Sequence, residues 1–180
     1  MNRKHIRENI FKCLFMREFY NKEDLKHQID NFLSLVRDHE EVLFWQTMDG
    51  ELSEEDDTRV NLFRTQLDKD MSLITTKTAA IIENIGELDE KLDTSLDTEK
   101  KIKADDKIER QKGQKGVSTH WKTNRLNKVD LSILRLALYE ILMDEDIPAG
   151  VAINEAVELA KIYSGDRAPA FINGVLAKFV

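Results

Sequence analysis

The chain has 180 residues, one cysteine and a net charge of −7, with 41% hydrophobic and 34% charged residues. This balance fits one globular domain with a heavily charged surface, and it excludes a disulfide-stabilised scaffold and a uniformly basic nucleic-acid-binding protein. Seven glycines, two prolines and abundant Leu, Ile, Glu, Lys and Ala favour helices over sheets.

The compartment is predicted from apolar runs and cysteine usage. No run approaches the roughly 18 apolar residues that a membrane span needs, and charged residues interrupt the basic start of the chain, so neither a membrane segment nor a signal peptide is expected. Cys13 lies among apolar residues and is expected to be a buried, inert thiol. We therefore predict cytoplasmic localisation.

In the first half of the chain, hydrophobic residues recur every three or four positions, which predicts amphipathic helices. The pattern covers residues 3–19, residues 23–38 and a long segment over 53–85. Residues 39–52 are less regular and are predicted to connect two helices. Residues 88–116 lose the periodicity and are dominated by Glu, Asp and Lys, so we expect a charged insertion or flexible linker there.

The widest apolar face in the sequence lies between residues 126 and 141, which predicts a central helix. Asp144–Pro148 ends it, because proline disfavours a helical conformation in the preceding residue. Further helices are predicted over residues 152–163 and from Pro169 to Phe179, since proline suits a first helical turn. No alternating strand pattern is present. The prediction is a compact, all-α bundle of six to seven helices, forming a single domain over residues 1–180.

Three blocks near the end of the chain resemble the NusB family of transcription antitermination factors. ILRLALYEI (133–141), preceded by RLNKVD (125–130), resembles the central helix of that family. VAINEAVELAK (151–161) and FINGVL (171–176) resemble its next helix and its closing signature. The order and spacing of these blocks are specific to the family.

The resemblance is dense over residues 121–180, fainter over 3–19 and thin over 53–85. It implies a fold of two helical subbundles around a core, which agrees with the periodicity. It also implies a binding function without catalysis or a cofactor. Family members bind the single-stranded boxA element of RNA leaders together with NusE, a small-subunit ribosomal protein, within an RNA polymerase antitermination complex that acts chiefly on ribosomal RNA operons. Some members form homodimers that cover the RNA face, so the oligomeric state stays open.

The resemblance places candidate RNA-binding residues near both ends of the chain. Arg3, Lys4 and Arg7 lie on the first turns of the first helix, where cations neutralise phosphates and make affinity salt-dependent. Phe171 corresponds to a position where family members present an aromatic ring near RNA bases, and Asp130 to an acidic position near the RNA and partner surface. The structural alternatives are a solvated basic helix end, a core aromatic ring and a helix-terminal acid favoured by the helix dipole.

Four further residues are weaker candidates for the RNA or partner surface: Asp166, Arg167, Lys122 and Lys128. The family's first helix is typically richer in arginine than this one. The difference implies either weaker electrostatics here or compensation by Lys112, Lys115, Lys122 and Lys128. Arg167 stands where the family often has an acid, so this reversal of charge would alter contacts with RNA or with NusE.

Other classes of function have weaker support. An enzyme is disfavoured because the four histidines are scattered without metal-ligand spacing, and no nucleophile elbow, P-loop or dinucleotide fingerprint occurs. The NusB-like module of ribosomal RNA methyltransferases would be followed by a methyltransferase domain, so a free-standing module is expected. A helical protein–protein adaptor without RNA binding stays the alternative, using the acidic residues 38–57 or the charged segment 88–116.

Overall fold

The computed structural model describes backbone and side chains of residues 1–48, 56–96 and 122–180, and the backbone alone of 54–55 and 97–108. Within these ranges the chain is all-α and has no strand, which confirms the predicted fold class. Its helices are α1 (Arg3–Met16), α2 (Lys22–Trp45), α3 (Glu54–Glu83), α4 (Ile85–Ile108), α5 (Lys128–Met143), α6 (Ala149–Tyr163) and α7 (Ala168–Leu176). Among the described residues, none of the helices combines the length and apolarity needed to cross a bilayer.

Asparagine side chains begin three of these helices. The side-chain oxygens of Asn2, Asn21 and Asn127 accept hydrogen bonds from backbone N–H groups two or three positions ahead, at 2.8 to 3.0 Å. The first N–H groups of a helix lack partners within it, and such a cap typically stabilises the helix by about 1 kcal/mol. These caps fix the starts of α1, α2 and α5.

The chain divides into two compact units, residues 1–80 and 81–180. The first unit contains α1, α2 and most of α3. One face of each helix is buried; these residues are Ile10, Phe11, Cys13, Leu14, Leu25, Ile29, Leu33, Leu67, Met71 and Ile74. The predicted single domain over residues 1–180 stays a prediction.

The second unit is built around α5. Residues 131–138 are all buried, and α5 packs against α4, α6 and α7. A helix that is buried on all sides belongs in the middle of a core. The prediction of a central helix is therefore confirmed for this unit.

A partly buried ion pair joins α4 to α5 within the second unit. The Arg135 guanidinium donates from Nε to Asp89 Oδ1 at 2.8 Å and from Nη2 to Asp89 Oδ2 at 2.7 Å. The Arg135 side chain is only 6% exposed. Because a buried charge is costly without a partner, this bidentate pair fixes how the two helices align.

α2 is longer than the sequence predicts, since it continues to Trp45 through residues that were expected to be irregular. The rings of Phe44 and Phe63 stack at a centroid distance of 4.1 Å and an interplanar angle of 9°. Stacked rings bury a large apolar area, so this contact with α3 favours continuing α2 to its observed end.

The charged segment over residues 88–116 is predicted to be an insertion or a flexible linker. Its first part instead belongs to a helix that packs against the core. α4 spans Ile85–Ile108, and Leu88, Leu92 and Leu96 are buried along one face of it. Leucines four positions apart share one side of a helix. This narrow stripe suffices to bury one face of α4, although charged residues outnumber the leucines. Residues 109–116 of the predicted insertion, and Trp121, lie outside the described residues.

Candidate RNA-binding surface

The three cations predicted on α1 differ in accessibility. Arg3 and Lys4 are exposed, whereas Arg7 is buried with 8% of its surface accessible, and it takes part in polar interactions of its own. Arg7 precedes the buried Ile10 and Phe11 by three and four positions, which places it on the core-facing side of the helix.

The start of α1 is positively charged and free of acidic residues in its first turn. One turn further along, Lys12 pairs with Glu8 at 2.7 Å, which offsets the charge there. Arg3 and Lys4 therefore carry the accessible positive charge of this helix end, and both cations suit contacts with phosphate oxygens.

In the second unit, Asp130 lies in the first turn of α5 and is half-buried. Its Oδ1 accepts a hydrogen bond of 2.5 Å from the Oγ of Ser164, the residue that ends α6. The acid predicted from the resemblance is therefore tied to the loop between α6 and α7. This bond links two residues that are 34 positions apart in the chain.

The loop from Gly165 to Arg167 leads directly into α7. It is exposed, and the backbone N–H of Ala168 donates to the Gly165 carbonyl at 2.8 Å. The backbone N–H of Phe171 donates to the Arg167 carbonyl at 3.2 Å, so the ring follows the arginine by one helical turn. The side chain of Phe171 is half-buried, whereas the next residue, Ile172, is fully buried. The ring is therefore partly accessible.

The weaker candidates are exposed as well. Lys122 precedes the short 3₁₀ turn Thr123–Arg125, which is held to α4 by a hydrogen bond of 2.7 Å from the Thr123 N–H to the Asp93 carboxylate. Lys128 begins α5, two positions before Asp130. Asp166 and Arg167 share the exposed loop.

The structure thus brings some of the predicted residues together. Asp130 and the loop with Asp166 and Arg167 are joined through Ser164, and Phe171 follows on α7. Arg3, Lys4 and Arg7 belong to the first unit, while all the other candidates belong to the second. Sequence analysis did not find Ser164. A serine before glycine at a helix end is a common local pattern, and nothing in it shows which distant group the hydroxyl reaches.

The described residues offer little for catalysis. Among them, no group of three or more His, Cys, Asp or Glu side chains could hold a metal ion. Burial raises the pKa of the Cys13 thiol from 9.0 to about 12. A thiol with so high a pKa is protonated at neutral pH and is a poor nucleophile.

Comparison with known proteins agrees with the resemblance seen in the sequence. The sequence model of the NusB family matches residues 107–180. A transcription antitermination protein NusB from Agathobacter rectalis is 40% identical over 179 residues, covering 99% of both chains. The protein of the same name from Clostridium botulinum is 38% identical over 180 residues, covering 100% of both.

Two solved structures resemble this one in fold. NusB from T. maritima matches with a TM-score of 0.60 and 24% identity, covering 99% of this chain and 90% of that one. A chain from a crystal structure of NusB and NusE in complex with double-stranded RNA matches with a TM-score of 0.57 and 16% identity, covering 98% of this chain and 94% of that one. At these identities the likeness concerns the fold.

Proposed function

Because the chain belongs to the NusB family of transcription antitermination proteins, we propose that it binds boxA-type single-stranded RNA together with NusE and so supports ribosomal RNA transcription. It is an antitermination factor, and proteins of this family are not enzymes. The proposal places the protein in the RNA polymerase antitermination complex, with a homodimer as a competing state.

The observation that carries the proposal is the exposed corner of the second unit. There the start of α5 contributes a carboxylate that is held by Ser164 (Asp130). The loop into α7 contributes a cation (Arg167), and α7 contributes a half-buried aromatic ring (Phe171). Single-stranded RNA offers what these groups bind, because its unstacked bases stack on aromatic rings and its base amino groups donate to carboxylates.

The exposed start of α1 supplies the second requirement, which is positive charge for the RNA backbone. Arg3 and Lys4 can each neutralise a phosphate, and Lys122 and Lys128 add exposed charge in the second unit. Counterions released from the RNA would make binding sensitive to salt. An overall charge of −7 does not prevent this, because charges beyond about 8 to 10 Å are largely screened at physiological salt.

Titration of a labelled boxA-type RNA, with and without NusE, tests the proposal. A composition-matched scrambled strand and a duplex of the same sequence serve as competitors, and each titration is repeated at several salt concentrations. We expect preferential binding of the single-stranded boxA RNA, enhanced by NusE and weakened by salt. A protein that binds NusE but shows no salt-sensitive binding of RNA would be the helical adaptor instead, and preference for the duplex would contradict the single-stranded target.

A further inference from the structure

The hydrogen bond between Ser164 and Asp130 connects three elements of the candidate surface. Ser164 ends α6, Asp130 opens α5, and the loop after Ser164 carries Arg167 into α7. The donor and acceptor atoms are 2.5 Å apart, which is short for a hydroxyl and typical of one bonded to a charged carboxylate. The bond therefore constrains the carboxylate and the loop together.

Chain geometry keeps the other candidate groups close to this bond. Consecutive Cα atoms are about 3.8 Å apart, so the Cα atom of Arg167 lies within about 11 Å of that of Ser164. Phe171 follows four positions after Arg167, one helical turn further on, a rise of about 6 Å. The hydroxyl holds the acceptor directly, and the cation and the ring follow it within seven positions of the chain.

We propose that Ser164 is a positioning residue for RNA recognition, holding the Asp130 carboxylate so that it accepts from base amino groups and selects the RNA sequence. This inference rests on the proposed function. The bond to Ser164 involves Oδ1, so the base would donate to Oδ2. A carboxylate repels phosphates, so it does not contribute to non-specific binding of the RNA backbone. It stabilises binding only of those bases that present a hydrogen-bond donor at the right place.

Without the hydroxyl, Asp130 would rotate about its side-chain torsions and the loop would lose its link to α5. The hydrogen bond to the base would then require that the carboxylate be ordered on binding, at a cost in entropy. The backbone contacts made by exposed lysines and arginines would not change. Loss of the hydroxyl should therefore lower the preference for the correct RNA and leave the salt dependence of binding unchanged.

The test compares two substitutions of matched shape, Ser164→Thr and Ser164→Val. Ser164 has φ −124° and ψ −176°, an extended conformation that β-branched residues favour, so both should fold. Threonine keeps the hydroxyl and valine replaces it with a methyl group. Affinities for the boxA-type RNA and for the scrambled strand are measured with the full chain, with NusE present, at several salt concentrations. The binding of each variant to NusE alone is measured separately.

We expect the threonine variant to retain the parent's ratio of the two affinities and the valine variant to lower it by about tenfold, the factor that one hydrogen bond to a charged group typically contributes. The salt slope should be the same in both. In an Asp130→Ala background the two substitutions should no longer differ, since no acceptor is left at position 130 and their effect acts through that carboxylate.

The remaining outcomes overturn the inference in distinguishable ways. If the parent protein shows no preference between the two RNAs, the proposed function fails and the positioning role fails with it. If the parent discriminates and the valine and threonine variants behave alike, only the role of Ser164 is wrong. If valine weakens both RNAs equally, the hydroxyl serves folding and not recognition. If the valine variant binds NusE more weakly than the parent does when no RNA is present, Asp130 faces the protein partner.

Discussion

The exposed cations at the start of α1 allow a quantitative prediction of how the affinity for RNA depends on salt concentration. Three cations were predicted there, and the structure exposes Arg3 and Lys4 but leaves only 8% of the surface of Arg7 accessible. Each phosphate neutralised on single-stranded RNA contributes about 0.7 to the slope of log affinity against log salt concentration. Replacing Arg3 and Lys4 by alanine should therefore lower the slope by about 1.4. Between about 50 and 200 mM salt, the parent's affinity should fall about sevenfold more than that of the double variant.

Fluorescence anisotropy with a labelled boxA-type RNA over this salt range measures the slope. Lys22→Ala combined with Lys26→Ala is the matched control, because it removes two exposed positive charges from α2 in the same unit. Arg7→Ala should reduce the stability of the fold and leave the slope unchanged, since its guanidinium is buried. A decrease of about 0.7 in the slope for Arg7→Ala would refute this reasoning and restore Arg7 as a phosphate contact. An unchanged slope in the double variant would remove α1 from the RNA surface.

Three further predictions concern the ring of Phe171, the ion pair between Arg135 and Asp89, and the cysteine. Phe171→Ala should weaken RNA binding by about 1–3 kcal/mol, or about 5- to 150-fold, with little change in salt slope; an unchanged affinity in the same anisotropy assay would make the ring a core residue. Asp89→Ala should lower the free energy of unfolding by about 3 kcal/mol in urea titrations followed by circular dichroism, because it leaves the buried Arg135 without its bidentate partner. The exposed neighbour Glu90→Ala is the control, and equal losses in both would show that the pair is not stabilising. Because the pKa of Cys13 rises from 9.0 in its ordinary environment to about 12 in the fold, the native state keeps a proton that the unfolded state loses. The difference in free energy of unfolding between the parent and Cys13→Ala should therefore be constant below pH 9. The parent's advantage should decline as the pH rises from 9 towards 12. A difference that does not vary with pH would contradict the burial of the thiol.

The all-α fold class and the identity of the central helix were predictable from the spacing of apolar residues along the chain. The apolar face of α5 is wide enough that only burial on several sides satisfies it, and residues 131–138 are indeed all buried. The same reasoning failed for α4, whose stripe of Leu88, Leu92 and Leu96 is narrow and set among charged residues. Periodicity detects a broad apolar face better than a narrow one, because a few leucines carry little weight against many charges.

Residue types also predicted which chemistry the surface offers, since guanidinium, carboxylate and aromatic groups have the same binding preferences in any fold. Their accessibility was decided by packing. Arg3 and Arg7 are one turn apart and look equivalent in the sequence, yet only Arg7 falls beside residues that the core buries. Burial depends on what packs against a helix face, and that information is absent from the helix itself.

The contact between Ser164 and Asp130 shows more clearly the difference between what the local sequence predicts and what tertiary packing decides. Local pattern predicts that α6 ends near Ser164, because a glycine follows it. That its hydroxyl meets a carboxylate 34 positions earlier in the chain depends on how α5, α6 and α7 pack around one core. Helix periodicity is set by neighbours three and four residues apart, whereas partners across helices are set by side-chain packing that no short stretch of sequence contains.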